Sequence, residues 1–102
     1  MNQYNEHGLK EGYWEDYYVN GNLMYKGNYN NGKSVGYWEE YYVNGNGNLW
    51  CKGVYINGLK DGYWEEYYFN GKLSRKGYFV NNKLHGYWEE YNGELPDKEF
   101  YL

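Results

Sequence analysis

Gly-Tyr-Trp-Glu-Asp-Tyr-Tyr at Gly12–Tyr18 returns as Gly-Tyr-Trp-Glu-Glu-Tyr-Tyr at Gly36–Tyr42 and Gly62–Tyr68, and in shortened form as Gly-Tyr-Trp-Glu-Glu-Tyr at Gly86–Tyr91. The intervals are 24, 26 and 24 residues, the longer one arising from a Gly-Asn inserted within Asn44–Asn48. Self-similarity at this period marks a repeat array, in which each unit buries its apolar face against its neighbours. Function in such an array is expected on surfaces repeated along it, not in a single catalytic pocket.

Composition sharpens this reading. The 102 residues contain no alanine or threonine, but seventeen tyrosines and five tryptophans, so the core of this single domain is expected to be aromatic. A net charge of −4 argues against a duplex nucleic-acid binder, which needs a basic face to neutralise phosphates. It disfavours anionic membrane surfaces for the same reason. Residues Met1–Glu6 show no basic region followed by an apolar run, and no stretch approaches a bilayer span, so a cytoplasmic protein is expected. Cys51 stands alone, which leaves neither a disulfide nor a thiolate metal site within one chain.

The Asn-Gly dipeptides divide each unit into two strands. Asn20-Gly21 lies between Tyr17-Tyr18-Val19 and Leu23-Met24-Tyr25, and Asn70-Gly71 lies between Tyr67-Tyr68-Phe69 and Leu73-Ser74-Arg75. Such pairs favour the positive φ values of a type I′ hairpin turn. A second set, Asn31-Gly32, Asn57-Gly58 and Asn81-Asn82, links the units, with His7-Gly8 at the corresponding place before the first. The expected strands are Gln3–Glu6, Leu9–Tyr18, Leu23–Asn30, Lys33–Val43, Asn48–Ile56, Leu59–Phe69, Lys72–Val80 and Lys83–Tyr91. Together they make an all-β, single-layer, coiled antiparallel meander of eight or nine strands, built from repeats of about 24 residues. The domain divides into a partial strand at 3–11, repeats at 12–35, 36–61 and 62–85, and a partial repeat with a cap at 86–102.

Two-residue turns predict a register. Trp14 faces Gly27, Trp38 faces Gly53 and Trp64 faces Gly77, with Glu15, Glu39 and Glu65 opposite Lys26, Lys52 and Lys76. The linking turns place Gly27 against Gly36, Gly53 against Gly62 and Gly77 against Gly86, so that equivalent residues slip by two along the strands. The glycines leave bare backbone on which an indole can lie. One face collects Trp14, Tyr18, Leu23, Gly27 and Tyr29 with their equivalents, and this is the expected core. The other carries Tyr13, Glu15, Tyr17 and Lys26 with theirs, a tyrosine ladder with ion pairs. Asp16, Glu40, Glu66 and Glu90 fall at the rim of the core face, beside Tyr25, Cys51 and Arg75; Cys51 reads there as a small filler.

The pattern Gly-x-Trp-x-x-Tyr-Tyr-x-Asn-Gly-x-Leu, continuing to Lys-Gly-x-Tyr-x-Asn-Gly, resembles the MORN-repeat superfamily, and most closely its bacterial variant in YwqK-family antitoxin-like proteins. The resemblance spans Gly8 to about Gly93. It implies an elongated coiled sheet used as a non-enzymatic scaffold or binding surface, including an antitoxin or inhibitor type of binding. The chain departs from the eukaryotic MORN form in lacking its Tyr-x-Gly-x-x start and its higher glycine content.

No catalytic or metal site is expected. The paired acids at 15–16, 39–40, 65–66 and 89–90 point to opposite faces of a strand and cannot cooperate as acid and base. His7 and His85 lie near opposite ends as exposed turn residues, and Ser34 and Ser74 have no histidine partner. No cofactor is implied. The expected partner is another protein, docking on Tyr13, Tyr17, Tyr37, Tyr41, Tyr63 and Tyr67, since tyrosine buries ring area while its hydroxyl stays satisfied. The alternative is a carbohydrate-, choline- or lipid-headgroup-binding aromatic module. Exposed sheet edges leave self-association open. The tail beyond Tyr91, with Pro96, is expected to cap the last edge, the alternative being that it offers Phe100, Tyr101 and Leu102 to a partner.

Overall fold

The repeated phrases fold as antiparallel strands, each hydrogen-bonded to its neighbour in sequence. In the computed structural model, which describes residues 1–44, 47–93 and 95–102, the strands are β1 Gln3–Tyr4, β2 Lys10–Tyr17, β3 Leu23–Asn30, β4 Lys33–Tyr41, β5 Leu49–Ile56, β6 Leu59–Tyr67, β7 Leu73–Val80, β8 Lys83–Glu90 and β9 Asp97–Tyr101. They form one meander in chain order. The inserted Gly45-Asn46 and Glu94 lie outside the described residues. The molecule measures 50 × 34 × 14 Å. Its smallest dimension has room for a single layer with side chains on both faces, since two packed sheets alone stand about 10 Å apart. The radius of gyration, 15.2 Å, exceeds the roughly 13 Å of a globular domain of this length.

The core is a line of rings. Trp14, Trp38, Trp64 and Trp88 are buried, together with Phe79 and Cys51. Edge-to-face contacts run through Tyr4, Trp14, Tyr29, Trp38, Tyr55, Trp64, Phe79 and Trp88, with centroids 5.0–6.2 Å apart. Each buried indole also donates its Nε1–H to a backbone carbonyl on the preceding strand, as Trp64 does to Val54 at 3.0 Å and Trp88 to Tyr78 at 3.0 Å. The column therefore combines aromatic packing, worth about 0.5–1.5 kcal/mol per pair beyond area burial, with satisfied polar edges.

The hairpin registers agree with the sequence reading from Gly12 to Asp16 and at the equivalent residues of the next two units. They then shift by one beside the turn, where Leu23, Leu49 and Leu73, expected on the core face, pair with Tyr17, Tyr41 and Tyr67. The linking registers depart further. Trp14, Trp38 and Trp64 pair with Gly27, Gly53 and Gly77, and Glu15, Glu39 and Glu65 pair with Lys26, Lys52 and Lys76. Across the linking turns the expected pairs hold only as far as Asn28↔Val35, after which the ladder jumps to Lys26↔Glu39. Gly36 and its equivalents Gly62 and Gly86 do not face glycine. They sit in bulges with φ of +74°, +92° and +73°. The two residues absorbed there cancel the expected slip, so Trp14, Trp38, Trp64 and Trp88 line up directly. Packing explains why. A Cβ on Gly27, Gly53 or Gly77 would come within 2.1–2.4 Å of the indole of the next unit, from Trp38, Trp64 or Trp88. The bare glycine thus lies beneath the following tryptophan.

Turn chemistry also differs between the two sets. Asn31-Gly32, Asn57-Gly58 and Asn81-Asn82 have positive φ at both residues, as a type I′ turn requires. At Asn20-Gly21 and Asn70-Gly71 only the glycine is left-handed, and Tyr18 and Tyr68 bond Asn22 and Lys72 across three-residue loops. There the asparagine side chain instead accepts from the backbone two residues on, Asn20 from Asn22 N–H and Asn70 from Lys72 N–H, a local bond that competes with the two-residue turn.

Successive units are latched at both ends. The hydroxyls of Tyr18, Tyr42 and Tyr68 donate to the carbonyls of Tyr41, Tyr67 and Tyr91 at 2.6, 2.5 and 2.7 Å. At the opposite end the linking turns reach back, Gly32 N–H to Lys10 O, Gly58 N–H to Ser34 O and Asn82 N–H to Lys60 O. These contacts tie each unit to the next.

Strand β9 shows that the tail is the second strand of a fourth unit. Leu95-Pro96-Asp97-Lys98-Glu99-Phe100-Tyr101 aligns with Leu73-Ser74-Arg75-Lys76-Gly77-Tyr78-Phe79, and the pairs Trp88↔Glu99 and Glu89↔Lys98 repeat the hairpin register. Glu99 occupies the place that is glycine in the three earlier units.

Candidate interaction face

The six tyrosines singled out from the sequence share one face, on β2, β4 and β6. Tyr13 and Tyr17 donate their hydroxyls to Glu15, each at 2.7 Å. Tyr37 and Tyr41 bind Glu39 in the same way, and Tyr63 and Tyr67 bind Glu65. Alternation makes this inevitable: residues two apart on a strand share a face, so every Tyr-x-Glu-x-Tyr becomes a carboxylate held between two phenols. Each lysine then bridges to the following unit, Lys26 to Glu39 at 3.3 Å and Lys52 to Glu65 at 3.5 Å. The ladder is continuous.

These bonds set the electrostatics. Tyr17 and then Tyr13 hold the Glu15 carboxyl below its ordinary value. At Glu39 and Glu65 burial opposes ionisation, yet the paired phenols and the neighbouring lysine outweigh it and keep both carboxyls low. The phenols move the other way. Burial, then the bond to glutamate, pushes Tyr13 and Tyr37 up to about 12, and raises Tyr41, Tyr63 and Tyr67.

With their hydroxyls bonded to Glu15, Glu39 and Glu65, the rings remain partly open to solvent. Tyr13, Tyr17, Tyr37 and Tyr63 are exposed, and Tyr41 and Tyr67 are half-buried. Sequence reasoning missed three further aromatics on this face. Tyr78 pairs with Tyr63, their centroids 5.4 Å apart, and Tyr87 pairs with Phe100 at 4.7 Å. A cleft of about 260 Å³ opens among Tyr63, Tyr78, Tyr87, Lys76 and Glu89. The signal was present: Asn28, Val54, Tyr78 and Phe100 are equivalent positions, increasingly aromatic along the chain.

Other expectations are corrected. Cys51 is no rim filler; it is 2 % exposed within the core cluster of Trp64, Phe79 and Trp88. Burial, and then the Glu40 carboxylate, pushes its thiol up, away from the reactive thiolate range. His85 lies in β8 opposite Tyr78, not in a turn. Among the described residues no group of three or more His, Cys, Asp or Glu is arranged to hold a metal, and no helix is long and apolar enough to cross a membrane. Compared with known proteins, the chain matches no family model and no curated relative.

Proposed function

We propose that the protein is a non-enzymatic interaction scaffold of the bacterial MORN-like type, acting in the cytoplasm, and that a partner protein docks on the tyrosine face. The observation that carries this reading is the Tyr-Glu-Tyr clamp repeated on β2, β4 and β6. A phenol whose hydroxyl is already bonded holds its rotamer, so docking loses little side-chain entropy. Tyrosine is also among the residues that dominate interface energetics. Inhibition of the partner, the antitoxin type of action, is the form of binding that the sequence resemblance implies. A second reading, a small-ligand module, draws on a cleft beside Trp38 on the opposite face.

Capture of a partner from native lysate, repeated with the Y41A/Y63A variant, tests the docking face. The variant is expected to stay folded by circular dichroism and to lose the partner. Unchanged affinity in the folded variant would move the site elsewhere.

A further inference from the structure

Four indoles are buried at equivalent positions, and three of them lie under a cation that the chain itself supplies. Lys10 Nζ is 4.7 Å from the Trp14 ring centroid and 5.0 Å from that of Tyr29. Lys60, which has the same place in its unit, is 4.6 Å from Trp64 and 5.1 Å from Phe79. Over Trp88, where the corresponding residue is Leu84, the guanidinium of Arg75 reaches in from β7 at 5.2 Å. Trp38 is different. Its unit carries Ser34 where the others carry Lys10 and Lys60, and among the described residues no lysine or arginine is set over its ring.

The space that a lysine would fill remains as a cleft of about 280 Å³, walled by Tyr25, Tyr29, Trp38 and Tyr55, with Ser34 and Glu40 in its lining. The rings are fixed by one another. Trp38 meets Tyr29 at 5.0 Å and Tyr55 at 5.7 Å edge to face, and Tyr25 at 5.3 Å. Among the described residues no lysine or arginine lies within ion-pair distance of Glu40 either. Its counterparts Asp16 and Glu66 lie 3.9 Å from Lys10 and 3.0 Å from Arg75. Glu40 accepts only the Tyr55 hydroxyl at 3.3 Å and the Cys51 thiol at 3.6 Å among the described residues.

We infer that this cleft binds an organic ammonium ion, and that its occupant is a lysine side chain presented by a partner protein. The ammonium would lie over Trp38 and Tyr55 as Lys60 lies over Trp64 and Phe79, attracted by the ring faces. Glu40 supplies the charge-assisted acceptor, and the aromatic walls cover the alkyl stem. That the lysine comes from a protein rests on the scaffold reading above; the ammonium site itself does not.

Titration of the isotope-labelled protein with Nα-acetyl-lysine amide, followed at the assigned indole N–H signals, tests this without any partner. A saturable shift of the Trp38 signal is expected, with those of Trp14, Trp64 and Trp88 unmoved because their rings are already covered. Sodium chloride at matched ionic strength is expected to have no effect. S34K, which copies Lys10 and Lys60, should fill the cleft and weaken binding at least about tenfold. E40Q should weaken it about five- to tenfold. Should S34K fail to fold, the comparison of the four indoles in the unaltered protein and the E40Q titration still decide. The inference is overturned by no saturable shift at Trp38, by equal shifts at all four indoles, by a shift that sodium chloride reproduces, or by one seen with tetramethylammonium but not with the lysine derivative. Loss of partner capture in Y41A/Y63A would be unaffected by any of these results.

Discussion

Two kinds of glycine recur in every unit, and they answer to different physics. Gly53 has an ordinary backbone conformation, but a Cβ there would lie 2.1 Å from the Trp64 ring. Gly62 has open space around it and φ of +92°. G53A is expected to cost about 3 kcal/mol or more, at the upper end for overpacking, because the displaced indole also loses its carbonyl bond. G62A should cost only about 1–2 kcal/mol of backbone strain. Urea titration of the two variants measures the difference, and equal costs would contradict the stacking described. Both glycines read alike in the sequence. The bulge shifts the ladder by two residues, which preserves the period-2 alternation, so the tryptophan and tyrosine faces were legible while the linking pairs, and the one-residue shift that sets Leu23 against Tyr17, were not. Ser34 is the reverse case: its departure from Lys10 and Lys60 is visible in an alignment of the units, but its meaning needs the rings that surround it.

The Tyr-Glu-Tyr clamps make strand pairing depend on pH in two windows. Glu39 and Glu65 have folded values below the ordinary 4.5. Their contribution is therefore present above that value and lost as pH falls through the lower folded one. Tyr13 and Tyr37 are raised from 10.0 to about 12, so their contribution is present below 10 and lost as pH rises towards 12. Denaturant midpoints measured against pH at constant ionic strength should fall at both ends, and E39Q/E65Q should flatten the acid limb. A midpoint that does not drop below pH 4.5 would sink this assignment. The tryptophan column gives a second expectation for the strands. Trp88 is 3 % exposed and Trp64 1 %, since β9 covers the fourth unit as β7 covers the third. W88A and W64A are each expected to cost about 3–5 kcal/mol in thermal or chemical unfolding; a mild W88A would mean that β9 does not pack as described. The ends of β3 and the linking turns at Asn31-Gly32 and Asn57-Gly58 were readable because turn residues punctuate the chain, whereas Asn20-Gly21 and Asn70-Gly71 carry the same dipeptide in three-residue loops. A ninth strand was allowed by the sequence, but its identity as the second strand of a fourth unit was obscured by Pro96 and Glu99, which replace the serine and glycine of the preceding unit.

At the scale of the molecule, a single layer 14 Å thick has no interior beyond its column of rings, so each unit is held by its neighbours and by the latches at either end. Strands β3, β5 and β7 each receive the tryptophan of the next unit on bare glycine. Strand β9 does not offer that surface: Glu99 stands there, with its carboxylate accepting from Tyr101, and Pro96 withholds a backbone donor beside it. A charged side chain is one of the devices by which edge strands resist addition. E99G/P96S is expected to gain concentration-dependent association in sedimentation velocity relative to the unaltered chain, and W88A in the same background should not be needed to see it. Identical sedimentation of the two proteins would show that Glu99 is no barrier. Codons for glycine and glutamate can differ by one base, so the bare backbone that receives an indole and the charged side chain that replaces it at Glu99 lie a single point mutation apart.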